Sequence, residues 1–71
     1  MTLCSAEIGR VYTVKNIATS DEELEDFLFS LGCYSGEPIA VVIRKKSMCI
    51  VSIKDGRYSI DTALASAITV E

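Results

Sequence analysis

A small, mostly β fold carrying one inserted helix is what this sequence predicts, and three observations predict it. Five short runs rich in β-branched and aromatic residues are separated by tight turns within 71 residues. One amphipathic segment with helix-start chemistry lies after the first run. The stretch Leu31-Gly32-Cys33-Tyr34-Ser35-Gly36-Glu37-Pro38 then ends that helix and launches the most apolar strand. Gly32 sits where a helix C-terminal glycine belongs, because only a residue without Cβ takes the left-handed conformation cheaply. Gly36 gives a second turn point, and Pro38 fixes the start of the strand.

Taken in order, Met1 to Glu7 form a short lead-in, and Gly9 punctuates it. Arg10 to Ile17 read as the first strand; Val14 lies on the opposite face from Val11, which leaves both sides open to contact. Thr19-Ser20-Asp21-Glu22-Glu23 is a helix start, with Ser20 expected as N-cap and Glu23 completing a capping box. The acids of the first turn favour the positive end of the helix dipole. Leu24, Phe27, Leu28 and Leu31 share one face at helical spacing, and that face is expected to be core. Phe29 falls on the other side among Glu22, Glu25 and Asp26, either packed by a loop or exposed for a partner.

After the corner, Ile39, Val41 and Ile43 alternate with Ala40 and Val42, so both faces of this strand are apolar. Pro38 and Arg44-Lys45-Lys46 guard its two ends against aggregation. Arg44 to Ser47 form a polar turn into Met48 to Ile53, where Cys49, Val51 and Ile53 face one way and Met48, Ile50 and Ser52 the other. Asp55-Gly56 between apolar runs is a strong hairpin signal, with Arg57 to Ile60 as the return strand. Asp61 to Ser66 fit one helical turn capped by Asp61, and Ala67 to Val70 close as a last strand. Short strands with tight turns favour a closed or nearly closed barrel, since closure removes exposed edges. The count fits a five-stranded SH3-like barrel in one domain over residues 1–71, with an α-helix at about Asp21–Leu31 and a short helical turn near Asp61–Ser66.

Composition narrows the function. Hydrophobic residues make up 49% of the chain, more apolar surface than one small core hides, so some is exposed or covered by a partner. A net charge of −3 argues against nucleic-acid binding, which needs a positive field. Asp21, Glu22, Glu23, Glu25 and Asp26 make an acidic end, and Arg44, Lys45 and Lys46 a small basic one. The three cysteines are odd in number and widely spaced, which suits reduced thiols in the cytosol rather than a disulfide framework. No charged-then-apolar leader is visible, and the longest apolar run is five residues, far below the ~20 that span a bilayer.

Catalytic chemistry is poorly served. There is no histidine, so the commonest general base and metal ligand are missing. No two cysteines have metal-finger spacing. The carboxylate pairs Asp21/Glu25 and Glu22/Asp26 lie one turn apart and could hold a hard divalent cation weakly, but a solvated helix face is the better reading, because two carboxylates rarely suffice without further ligands. Gly32 and Gly36 lack the Lys-Ser/Thr of a phosphate loop. Neither a catalytic residue nor a cofactor is expected.

Leu28 to Ile39 resembles the "RL..LGL.PG..I" pattern of the ferrous iron transport protein A (FeoA) domain family. Gly56 to Val70 is similar to that family's "G…aL….A..I.V" ending, with Ile60, Ala65, Ile68 and Val70 on the matching positions, and Leu3 and Gly9 fit its opening. Cys33, Ser35 and Phe27 depart from the usual aliphatic, proline and basic residue. The resemblance implies an SH3-like barrel and a small cytoplasmic accessory or regulatory protein, not an enzyme. Its implied partner is the membrane ferrous iron transporter, through the transporter's cytoplasmic GTP-binding part or its membrane part, which would bring the chain to the inner membrane without insertion. The same domain closes iron- and manganese-dependent repressors, but this chain has no DNA-binding helices. The surface expected to meet a partner is the apolar set Phe29, Tyr34, Ala40, Val42, Met48 and Ile50 with Arg44, Lys45 and Lys46 beside it. Two alternatives stand beside this: a sensor of ferrous iron or another divalent metal using the helix carboxylates or a thiol, and a homo-oligomer paired through open strands.

Overall fold

In the computed structural model, which describes residues 1–71, five antiparallel strands form one sheet in the order β4-β3-β2-β1-β5. The strands are β1 (Val11–Ile17), β2 (Pro38–Arg44), β3 (Met48–Ile53), β4 (Gly56–Asp61) and β5 (Ile68–Val70). Helix α1 (Glu22–Ser30) is inserted between β1 and β2, and α2 (Thr62–Ser66) joins β4 to β5. The sheet curls but does not close by hydrogen bonds: β4 and β5 are its edges, and α2 spans the gap. Asp61 caps α2 through Oδ1, which accepts from the Leu64 amide at 2.7 Å. A 3-10 turn at Leu3–Ser5 seals the same end, and Val70 donates its amide to the Met1 carbonyl at 2.8 Å.

The core is wholly apolar and holds no buried polar or charged residue. Tyr12 and Val14 of β1, Ile39 and Val41 of β2, and Cys49, Val51 and Ile53 of β3 point inward with Ile60, Leu64, Ile68 and Val70. On β1 the inward face is therefore Tyr12/Val14, whereas Val11 is 67% exposed. On β2 the simple alternation fails at a bulge. Val41 pairs with Val51, but Ile43 pairs with Ile50, so one extra residue, Val42, is accommodated. Beyond the bulge neither Ile43 nor Arg44 returns to the core. Ile43 turns outward, 43% exposed, and Arg44 comes opposite the inward Cys49.

Helix α1 departs from expectation at both its start and its face. Its N-cap is Asp21, not Ser20: Asp21 Oδ1 accepts from the amides of Glu23 (3.0 Å) and Leu24 (3.4 Å). One carboxylate serves two orphan donors, and Thr19 Oγ1 accepts from the Asp21 amide at 3.1 Å, which fixes the cap. Only Leu28 of the apolar face is fully buried; Leu31 is partly buried, while Leu24 and Phe27 stay 40% and 46% exposed. The helix is docked by its last turn and projects from the barrel by its first two. Its C-terminus is a Schellman motif: Cys33 donates to Leu28 O at 2.9 Å and Gly32 to Phe29 O at 3.0 Å, with Gly32 at φ +91°. The β3–β4 hairpin turns on Lys54-Asp55 rather than Asp55-Gly56, because Ile53 pairs with Gly56 and Lys54 takes φ +53°. Gly56 is required for another reason: a Cβ there would run into the Tyr58 ring.

Candidate functional site

The residues expected to meet a partner fall along a strip that runs the length of β2 and β3. At one end, where α1 stops, Phe29 stacks on Tyr34 with ring centroids 4.8 Å apart at 31°. Phe29 is 63% exposed, so this aromatic pair faces solvent. The Schellman corner places it, since Gly32 turns the chain back and sets Tyr34 beside the last helical turn. Lys54 reaches over from the β3–β4 turn. Its Nζ lies 5.4 Å from the Tyr34 ring centroid and 3.2 Å from Glu37 Oε2. Its stem runs across Gly32, where a Cβ would come 2.7 Å from Lys54 Cε. The hydrogen bond that Lys54 donates to Glu37, then that to Tyr34, raises the Lys54 pKa above its ordinary value. Phe29, Tyr34, Lys54 and Tyr58 thus border one shallow groove.

Lys54 also borders a second hollow with Val11, Pro38, Ala40 and Ser52, so the groove continues onto the outer face of the sheet. There Ala40 pairs with Ser52 and Ile43 with Ile50, giving a half-exposed apolar surface that includes Val42. At the far end, β3 begins at Met48, next to Lys45 and Lys46. Six residues of strand separate the two ends by about 20 Å. Arg44 is not a free basic group like its neighbours. Its Nη2 donates to the carbonyls of Ala6 (2.6 Å) and Leu3 (3.2 Å), tying the N-terminal turn to β2. Beside it, Cys4, Lys45, Lys46, Met48 and Cys49 help line a cavity of about 130 Å³.

Sequence reasoning missed Val11, Leu24, Phe27 and Ile43 as exposed residues, and Lys54 and Tyr58 as walls of the groove. Ile43 and Lys54 depend on the bulge and on a left-handed turn residue, which local pattern does not show. The five carboxylates from Asp21 to Asp26 remain without ion-pair partners; the chain's ion pairs are Lys54–Glu37 and the long Lys15–Glu71 contact at 4.0 Å. No three His, Cys, Asp or Glu side chains gather to hold a metal ion. Cys33 is fully buried, and burial pushes its thiol up to about 11, which makes it unreactive near neutrality. No helix is long and apolar enough to cross a membrane.

This fold recurs in solved structures. A zinc complex of Stenotrophomonas maltophilia FeoA, described as a prokaryotic SH3 domain protein and candidate ferrous iron transport activating factor, matches with TM-score 0.88 at 18% identity, over 100% of this chain and 89% of that one. An iron uptake regulatory protein (FeoA) matches with TM-score 0.86 at 25% identity, over 99% and 92%. A manganese-dependent transcriptional repressor matches with TM-score 0.89 at 24% identity, where 99% of this chain covers 40% of that one. No curated protein sequence matches. The FeoA domain model matches residues 1–71, in keeping with the curled five-stranded sheet, the inserted helix and the Gly32 corner, and the chain belongs to the FeoA domain family.

Proposed function

We propose that this chain is a non-catalytic accessory protein of ferrous iron transport that works by binding the membrane ferrous iron transporter at its cytoplasmic face. Family membership ties it to ferrous iron transport. The observation that carries the mode of action is the exposed strip: the Phe29–Tyr34 stack, then Ala40, Val42 and Ile50, ending at Met48 with Arg44, Lys45 and Lys46 beside it. A solvent-facing aromatic pair beside a half-exposed sheet face is an interface composition, with apolar anchors inside a charged rim. The groove is pre-formed, because the Gly32 corner and the Lys54 arm hold the aromatic pair before any partner arrives.

Complementation tests this. In cells lacking the chain, a variant with Phe29, Tyr34, Val42 and Ile50 made polar is expected to accumulate folded yet fail to restore ferrous iron uptake. Uptake at the unmodified level by that folded variant would overturn the assignment of the strip. A hard divalent metal sensor is less well supported, since such ions need several oxygen or nitrogen ligands and no three candidate ligands converge.

A further inference from the structure

The cavity of about 130 Å³ at the N-terminal end of β3 has an unusual lining. The chain has three cysteines and two methionines, and three of these five sulfur side chains, Cys4, Met48 and Cys49, border this one cavity. Long-range structure brings them together. Arg44 pairs across the ladder with Cys49, and its guanidinium binds the carbonyls of Leu3 and Ala6, on either side of Cys4. Cys4 is partly exposed and Cys49 nearly buried; both are free thiols. The Cys4 Sγ–H donates to Thr62 O at 3.5 Å, a weak bond because a thiol is a weak donor. Burial raises the Cys49 thiol first, the neighbouring Cys4 raises it further, and Arg44 opposes both. Both cysteines line the same cavity.

We propose that Cys4 and Cys49 form a two-thiolate site for a soft monovalent cation of the copper(I) class. Thiolate and thioether sulfurs select such ions, and a filled-shell monovalent ion is satisfied by two or three sulfur ligands. Hard and borderline divalent ions need more donors than this cavity offers. On binding, each thiol releases one proton to water, and each sulfur lone pair forms one bond to the ion; no electron is transferred. The occupied site carries one net negative charge. Arg44 beside Cys49 and Lys45 and Lys46 on the rim offset that charge. Binding releases protons, so affinity rises with pH. The site lies at the opposite end of β3 from the Phe29–Tyr34 groove and shares Met48, Lys45 and Lys46 with the far end of the proposed transporter-binding strip.

The test is an anaerobic competition in which the reduced chain withdraws copper(I) from its bicinchoninate complex, followed by the chelate's absorbance. One ion per chain and release of two protons in weak buffer are expected. Cys4→Ser and Cys49→Ser should each weaken binding at least about 100-fold, more than loss of an outer-shell partner costs. Cys33→Ser should not, because Cys33 lies outside the cavity. Cys4 is partly exposed, so Cys4→Ser keeps the test valid should Cys49→Ser unfold, and far-UV circular dichroism verifies each fold. No withdrawal of copper(I), release of no protons, or full affinity in Cys4→Ser would overturn the site.

Discussion

Replacing Arg44 by Met separates the two roles a basic residue can play at the end of β2. As a solvated turn residue it would matter little. In the structure its Nη2 donates to Ala6 O at 2.6 Å and to Leu3 O at 3.2 Å, from the exposed end of β2 opposite Cys49. Hydrogen bonds from a charged donor contribute about 1.5–3 kcal/mol each. Here the second bond is long and the site only partly buried, so the pair together is worth about 2–3 kcal/mol. A change of 1 kcal/mol shifts the melting temperature of a domain this size by about 4–8 °C, so Arg44→Met should lower it by about 10–20 °C. Lys45→Met and Lys46→Met, both exposed, should stay within about 0.5 kcal/mol of the parent. Thermal and urea unfolding, each followed by far-UV circular dichroism, read all three. Because the acceptors are neutral carbonyls, the loss should persist in 1 M salt, where the Debye length is about 3 Å. An Arg44→Met variant as stable as Lys45→Met would refute the clamp.

Asp21→Ala should cost about 1 kcal/mol by removing the acceptor of two helix amides, whereas Ser20→Ala should cost under about 0.5 kcal/mol, both read by urea unfolding. Gly32→Ala should cost about 1–2 kcal/mol from the φ of +91°. It should also displace Lys54, whose Cε would be 2.7 Å from the new Cβ, and so loosen its ion pair with Glu37; the Lys54 side-chain NMR resonances report this. Leu28→Ala should cost about 2–5 kcal/mol, since Leu28 is the fully buried residue that docks α1. Cys33 links stability to alkaline pH. Its thiol is raised from about 9 to about 11 in the folded state, so its contribution is intact below pH 9 and is lost as pH rises toward 11. The stability difference between the parent and Cys33→Ala should therefore shrink over that window, and a difference constant with pH would contradict the buried neutral thiol.

What depends on neighbouring residues was legible in the sequence. The Gly32 corner, the Asp61 cap and the inward set Cys49, Val51 and Ile53 follow from local backbone chemistry and from the two-residue period of a strand. What depends on the partner strand or a remote loop was not. Ser20 and Asp21 are both good caps, and the choice between them rests on Thr19 holding the Asp21 amide. The face Leu24-Phe27-Leu28-Leu31 has helical spacing, but spacing does not say whether anything packs against the first turns, and only Leu28 finds the core. Alternation along β2 put Ile43 on the inner face with Ile39 and Val41; one bulge at Val42, set by pairing with β3, turned it outward, while Arg44 stays exposed. Of the expected surface, Phe29 and Tyr34 do come together, 4.8 Å apart, whereas Lys54 joins them through a left-handed residue that no propensity favours. The convergence of Cys4, Met48 and Cys49 spans more than forty residues of sequence and is visible only in the fold.

The most direct measurement is the affinity of the purified chain for the cytoplasmic GTP-binding domain of the ferrous iron transporter, and for the full transporter in detergent, each with and without GTP. The account predicts binding to at least one of them, and loss of that binding on Phe29→Ser with Tyr34→Ser while the chain stays folded. Absence of binding in every arm, or binding unaffected by that double substitution, would contradict it.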